Sequence, residues 1–287
     1  MAFSVPERLV TNCGRSPERL EWLSRLPDVI DELQRRWSLT VGMPFDLEVS
    51  CAWVAPAKRA DNGSAILKLG MPHMEGLHEI AGLRFWNGNP TVRLLEADEG
   101  LGAMLLERCE PGSTLRCLSE PEQDSVIAGL LHRLWRSPPA LHPFRPLSTM
   151  TTFWSSHTLL DAARWPDSGL VRAGLQLFRE LPESAVTTSV LSTDLHAGNV
   201  LRAEREPWLL IDPKPFVGDR AYDATQHLLN CVARLRSDAH GTIRRFAELL
   251  ELSHERVQLW LFARAAAEPR DDWEGSESWR LARIIGP

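Results

Sequence analysis

Near the start of the chain, apolar residues recur at helical spacing. Leu20, Leu23, Leu26, Ile30, Leu33 and Trp37 share one face, which predicts an amphipathic helix over 17–37. Pro44 and Asp46 break that period. The pattern then predicts strands over Phe45–Ala55 and Ser64–Leu69, joined by a polar turn containing Asp61-Asn62-Gly63. Residues 75–87 read as a helix. Val92–Glu96 and Gly102–Glu107 read as a second strand pair around Asp98-Glu99-Gly100.

Past Glu110-Pro111-Gly112, a connector, the period is mostly helical: 120–137, 149–163, 168–181, 219–236, 240–251 and 253–267. Residues 138–146 are proline-rich and form a loop. Two stretches depart from the helical period, the strand-like run Val186–Leu191 and a tight hairpin from Asn199 to Ile211 around Ala203-Glu204-Arg205-Glu206-Pro207. The expectation is an α+β chain: a sheet-containing part over 1–107, a connector over 108–113, and a mainly helical part over 114–287.

Composition narrows the function classes. A chain of 287 residues with 44% apolar and 24% charged content is that of a soluble globular protein with room for two lobes. Acidic residues outnumber basic ones, 38 to 32, which argues against a nucleic-acid surface and is compatible with a cationic ligand. No apolar run is long enough for a membrane span. Met1 to Arg19 carries no secretory signal pattern, since Glu7, Arg8, Arg15 and Glu18 interrupt it. The five cysteines are scattered without C-x-x-C spacing, which points to reduced thiols in the cytoplasm.

The chemistry concentrates in Val190-Leu191-Ser192-Thr193-Asp194-Leu195-His196-Ala197-Gly198-Asn199-Val200 and in Leu209-Leu210-Ile211-Asp212-Pro213. Phosphoryl transfer from a nucleotide needs one carboxylate at the attacking hydroxyl, and an Asn and a second carboxylate to hold Mg2+. Asp194, Asn199 and Asp212 fit those needs in that order, with Asp212 at the end of an apolar strand. Lys68 lies inside the apolar strand Ala65-Ile66-Leu67-Lys68-Leu69 and needs a partner or an exposed face. Glu79, on the next helix, offers the strand-lysine to helix-glutamate pairing by which kinases hold the α- and β-phosphates, with Glu75 as a competitor. His196 is read as a structural hydrogen-bonder, Gly198 as a source of backbone freedom, and Asp219 and Asp223 as residues that either cap the next helix or brace the catalytic loop.

Leu191 to Val200, with Ile211-Asp212-Pro213 and Gly218-Asp219-Arg220-Ala221-Tyr222-Asp223, resembles the aminoglycoside phosphotransferase superfamily. More narrowly, the chain is similar to its streptomycin phosphotransferase and hydroxyurea-resistance kinase branch. The Asp-Pro in place of Asp-Phe-Gly and the order Ala65-Ile66-Leu67-Lys68, Glu79, Leu105-Leu106-Glu107-Arg108 carry the narrower likeness. The resemblance implies a bilobal protein-kinase-like fold and phosphorylation of a small-molecule hydroxyl using ATP, or GTP, with Mg2+. By position, Asp194 would be the catalytic base, Asn199 and Asp212 would ligate Mg2+, and Lys68, oriented by Glu79, would contact the phosphates. Glu107 to Cys109 would form a hinge meeting the adenine edge. Residues 1–107 would then be the nucleotide-binding lobe, 108–113 the hinge, and 114–287 the lobe with the catalytic loop and substrate site.

Two features depart from the family pattern. Ser192-Thr193 stand where the family usually has His-Gly before its catalytic Asp. No G-x-G-x-x-G occurs between the first strands; the matching turn reads Val49-Ser50-Cys51-Ala52, and Ser50 would contact the phosphates. Near the C-terminus, Asp271, Asp272, Trp273 and Glu274 suggest an acidic lip with an aromatic platform for a cationic substrate. The acceptor is read as streptomycin or a related aminoglycoside, with hydroxyurea or a metabolite alcohol as the alternative. A nucleotide-binding, pseudokinase-like module is the reading from another class. The protein is expected to act as a monomer.

Overall fold

In the computed structural model, which describes residues 4–46, 51–273 and 275–286, the chain divides into two compact units. One comprises Met1–Gly112 together with Arg202–Ile211, and the other comprises Ser113–Leu201 together with Asp212–Pro287.

The first unit opens with α1 (Glu7–Cys13) and α2 (Pro17–Arg36). Ser16 caps α2 by accepting the Arg19 amide at 3.3 Å, and Pro17 occupies the first helical position, where its missing N–H costs nothing. Leu26, Ile30 and Leu33 of the expected stripe are buried against a five-stranded antiparallel sheet. Its strands are β1 (Leu39–Val41), β2 (Ala52–Arg59), β3 (Ser64–Gly70), β4 (Leu94–Asp98) and β5 (Ala103–Glu107), in the order β1-β2-β3-β5-β4. Trp53, Ala55 and Ala57 of β2 and Ala65, Leu67 and Leu69 of β3 alternate into that core. The period of two therefore sends Lys68 to the opposite face, where it pairs in register with Val54 and Met104.

Strand β2 begins and ends later than the sequence pattern indicates. Its turn is tight, with Asn62 in the left-handed region (φ 64°) and the Gly63 amide on Asp61 Oδ1 at 2.9 Å, so pairing continues up to Lys58↔Ser64. The helix expected over 75–87 divides into a 3-10 turn, Glu75–His78, and α3 (Glu79–Trp86). Arg205, on the returning segment, fastens it to the rest of the unit. Its guanidinium donates to both Glu107 carboxylate oxygens (2.9 and 2.8 Å), to Gly88 O (2.8 Å) and to Thr91 O (3.1 Å).

The second unit carries α4 (Glu120–Leu134), α5 (Leu147–Leu160), α6 (Ser168–Glu183) and β6 (Thr188–Leu191). The chain then leaves this unit along β7 (Val200–Arg202), and the turn at 203–207 with β8 (Trp208–Leu210) belongs to the first. Then come β9 (Phe216–Asp219), α7 (Arg220–Leu229), α8 (Val232–Leu249), α9 (His254–Ala267) and α10 (Glu277–Ile285). Strands β6 and β9 pair antiparallel from Thr188↔Asp219 to Leu191↔Phe216. The single helix expected over 219–236 is replaced by the end of β9 and two helices. Asp219 starts α7 as its cap, its Oδ1 accepting the Ala221 amide at 3.1 Å, and the helical run is interrupted at Asn230 and Cys231 before α8. Helices α6 and α9 approach so closely at Gly174 that a Cβ there would lie 2.8 Å from the Ala267 methyl.

Among the described residues no helix is long and apolar enough to cross a membrane, and all five cysteines are free thiols.

Candidate functional site

In the first unit, β3 and α3 bring together the lysine and glutamate that the sequence paired. Lys68 Nζ lies 2.6 and 2.8 Å from Glu79 Oε1 and Oε2, with side chains only 8% and 7% exposed. Glu79, not Glu75, is therefore the partner. Such burial is tolerated because the charges are matched and hydrogen-bonded.

At the end of β5, the Glu107 amide donates to Arg93 O at 2.9 Å and the Arg93 amide donates back to Glu107 Oε2 at 2.9 Å. Burial opposes ionisation of Glu107, but Arg205 and the Arg93 amide outweigh it and hold the carboxyl below its usual range. Burial, with Glu107 nearby, pushes the Cys109 thiol up to about 11, so it stays protonated. Among the described residues, the Cys109 amide and carbonyl take part in no backbone hydrogen bond. Ser50 lies outside the described residues.

In the second unit, the loop after β6 places Asp194 at the centre of a hydrogen-bonded cluster. Lys214 Nζ donates to Asp194 Oδ2 at 2.5 Å, and Gln226 Nε2, on α7, donates to Oδ1 at 2.8 Å. Asn199 Nδ2 donates to the Asp194 carbonyl at 3.0 Å. The amide oxygen of Asn199 is thus left as its acceptor end. Asp212 has φ 54°, a left-handed conformation that is costly for a residue bearing a Cβ. Lys214 ties this turn to the loop before Asp194 twice. Its amide donates to Ser192 O at 2.8 Å, and its carbonyl accepts the Thr193 hydroxyl at 2.6 Å.

Asp223 underlies the loop, the bracing alternative of the two that the sequence offered for Asp219 and Asp223. It accepts the Ser192 and Thr193 amides at 3.1 and 2.8 Å and the Trp135 indole N–H at 3.0 Å. Burial raises its carboxyl to about 6 despite those three donors. His196 Nδ1 accepts the Gly198 amide at 3.0 Å, which leaves its proton on Nε2; burial lowers its pKa, so the ring is neutral at pH 7. Gly198 is not among the positive-φ glycines, so the expected backbone freedom is not used; a Cβ there would lie 2.8 Å from the His196 ring and 2.7 Å from the far end of the Arg116 side chain.

The C-terminal acidic segment is only partly as expected. Asp271 and Asp272 are exposed, and Glu274 lies outside the described residues. Trp273 is not a platform: it is fully buried, its indole N–H is 3.3 Å from Asp161 Oδ2, and the Arg270 guanidinium lies 4.7 Å from its ring centroid. An apolar ring of that size gains more from the core than from a solvated loop.

Sequence reasoning missed Lys214, Gln226 and Arg264, which donates from α9 to Gln226 Oε1 at 2.7 Å. A signal for Lys214 was present. The chain has three lysines among 32 basic residues, Lys58, Lys68 and Lys214. Where arginine does nearly all the cationic work, a lysine marks a position that wants a compact point charge.

The fold is that of the protein-kinase-like phosphotransferases. A likeness to choline kinase LicA from Streptococcus pneumoniae has a TM-score of 0.62 at 16% identity, covering 90% of this chain and 89% of that one. The chain belongs to the aminoglycoside/hydroxyurea antibiotic resistance kinase family, which it matches over residues 36–270. It is 36% identical over 277 residues to streptomycin 6-kinase of Streptomyces glaucescens, covering 91% of this chain and 88% of that protein. It is also 36% identical over 252 residues to hydroxyurea phosphotransferase of Kitasatospora aureofaciens, covering 85% of this chain and 72% of that protein. The protein is thus a kinase of the antibiotic-resistance type.

Proposed function

We propose that the protein transfers the γ-phosphoryl group of ATP to a hydroxyl of streptomycin or a related aminoglycoside, with Mg2+. The observation that carries this reading is the Asp194 carboxylate, held at one oxygen by Lys214 and at the other by Gln226, beside an Asn199 anchored on the same residue. The streptomycin 6-kinase relative at 36% identity supports the acceptor.

When bound, Mg-ATP supplies the transferable phosphoryl group and a divalent charge at its oxygens. The Asn199 amide oxygen and the Asp212 carboxylate are hard oxygen donors, the set that suits Mg2+ rather than a softer metal. Asp194 aligns the acceptor hydroxyl and takes its proton. Because the transition state of such transfers is loose, alignment and charge neutralisation matter more than basicity. Lys214, beside Asp194, offsets negative charge on the transferred group. In the first unit, Lys68 and Glu79 serve the phosphates, with Ser50 as a further contact, and the backbone of Glu107 to Cys109 serves the adenine edge. GTP is the alternative donor.

Asp271, Asp272 and Glu274 would attract a cationic acceptor, without Trp273. Hydroxyurea is the second reading, favoured by the hydroxyurea phosphotransferase relative at the same identity. The protein acts as a monomer on a small molecule.

The test is incubation with Mg-ATP or Mg-GTP and a panel of streptomycin, other aminoglycosides and hydroxyurea, read as mass gain of one phosphate on the acceptor. Product with streptomycin is expected. Product only with hydroxyurea would move the acceptor assignment. No product and no nucleotide turnover would leave a nucleotide-binding module.

A further inference from the structure

Arg264 is a buried charge in the second unit's core. Its side chain is 4% exposed, yet every nitrogen has a partner. Nε donates to Glu268 Oε2 at 2.9 Å, Nη1 to Thr225 Oγ1 at 2.8 Å, and Nη2 to Gln226 Oε1 at 2.7 Å. The guanidinium lies 5.0 Å from the Tyr222 ring centroid and 5.6 Å from that of Trp154. Burial opposes its charge, but Glu268 and the neighbouring Tyr222 and Asp194 keep it protonated. A cation stacked between aromatic rings and tied to two adjacent residues of α7 is costly to build by burial alone.

Its chemistry fixes the polarity of what it touches. Arginine has donors and no acceptor, so Gln226 must turn its amide oxygen to Arg264. The Gln226 amide nitrogen then faces Asp194 Oδ1, 2.8 Å away. Without the arginine, the amide could flip and present an oxygen to the carboxylate. The second anchor of Gln226 is its backbone carbonyl, which accepts Asn230 Nδ2 at 2.9 Å within the same helical turn.

We infer that Gln226 and Arg264 are positioning residues for the phosphoryl transfer, a one-way donor chain from α9 through α7 that sets the rotation of the Asp194 carboxylate. This rests on the reading of Asp194 as the group that aligns the acceptor. The chain holds Oδ1, Lys214 holds Oδ2, and the carboxylate plane is thereby fixed between two donors. The aromatic residues around Arg264 thus do more than fill space: they hold the cation that gives the glutamine its direction.

Replacing Arg264 risks the fold, so Gln226 bears the test. The variants are Gln226→Met, which keeps the volume and removes the donor, and Gln226→Glu, which keeps the contact with Arg264 and turns an acceptor to Asp194. Asp194→Asn runs in parallel. Turnover is read as ADP release from Mg-ATP, with streptomycin and without acceptor, together with the melting temperature and the KM for Mg-ATP. Gln226→Met is expected to keep the wild-type KM while kcat falls about tenfold to a hundredfold, the range for loss of alignment. Gln226→Glu is expected to lose more, with a deficit that widens as pH rises and the new carboxylate ionises. A Gln226→Met enzyme within about twofold of wild-type kcat, or equal losses in both variants at every pH, overturns the inference. If Asp194→Asn keeps full turnover, or the wild-type protein releases no ADP in either condition, the reading of Asp194 falls and takes this inference with it. If Asp194→Asn is inactive while both Gln226 variants are normal, only the inference falls.

Discussion

The backbone amide of Thr193 donates to Asp223 Oδ1 at 2.8 Å, and Thr193 holds a left-handed backbone, φ 50°, immediately before Asp194. A β-branched residue rarely adopts that conformation, and keeping it there costs on the order of 1–3 kcal/mol. Two bonds keep Thr193 in place, the one to Asp223 and the hydroxyl's bond to the Lys214 carbonyl at 2.6 Å. The family usually has glycine here, which needs no such restraint.

Thr193→Gly and Thr193→Val separate strain from hydrogen bonding. The glycine relieves the strain and loses a bond of about 1 kcal/mol, so its stability in urea unfolding should stay within about 1 kcal/mol of wild type. The valine also loses that bond but keeps the strain, so it should be less stable by about 1–3 kcal/mol and turn over more slowly. A valine variant as stable and active as wild type would show that the hydroxyl braces nothing.

Asp223 sets a pH dependence of opposite sign for stability and activity. Its folded value, about 6, lies above the ordinary 3.8, so the native state binds the proton more tightly than the unfolded chain. The stability it contributes is present in full below about pH 4 and is lost as pH rises through about 6, a change of about 3 kcal/mol. Activity should run the other way, because the protonated carboxyl is a poorer acceptor for the Ser192 and Thr193 amides. The expected kcat profile has an acid limb with a midpoint near 6. Asp223→Asn, whose NH2 would face either the Thr193 amide or the Ser192 amide and Trp135 indole, should be slow at every pH and lack that limb.

How much of this was legible in the sequence follows from how local each feature is. The Lys68–Glu79 pair could be read because a charged residue inside an apolar strand demands a partner, and a helix came next. The set Asp194, Asn199 and Asp212 could be proposed from the sequence because one loop and one strand end carry all three. Gln226 and Arg264 could not, since they reach Asp194 from α7 and α9 by packing that no spacing encodes. Trp273 misled for the same reason: acidic neighbours describe its local chemistry, while its burial depends on Asp161 and Trp165, distant in the chain. The break between α7 and α8 at Asn230 and Cys231 and the 3-10 turn before α3 were lost because local backbone geometry, not periodicity, decides where a helix ends or begins.

The Lys68–Glu79 pair lets structure and nucleotide binding be separated. Removing one partner, as in Lys68→Ala, takes the paired ammonium from a buried carboxylate and should destabilise the protein by about 3–5 kcal/mol. The double variant Lys68→Met with Glu79→Leu removes both charges and should recover most of that loss. Its affinity for Mg-ATP, measured by titration calorimetry, should nevertheless stay at least about tenfold weaker than wild type, since the phosphates have lost their cation. A double variant that binds normally would reduce the pair to a structural feature.

The division of labour between the two carboxylates gives the last prediction. Asp194 is proposed to meet the acceptor hydroxyl and Asp212 the metal, so their removal should fail in different ways. Asp194→Ala takes away alignment and proton acceptance, and kcat should fall by about 10²–10⁴ while Mg-ATP affinity stays near wild type. Stability should change little, because Lys214 is 17% exposed and can be solvated once its partner is gone. Asp212→Ala removes a metal ligand, so Mg-ATP affinity should fall together with kcat, and excess Mg2+ should restore part of the binding. The same substitution leaves the residue at φ 54°, still strained, whereas Asp212→Gly relieves that strain. The glycine variant should therefore be more stable than the alanine one and equally defective in binding Mg-ATP, a pairing that loss of fold could not produce.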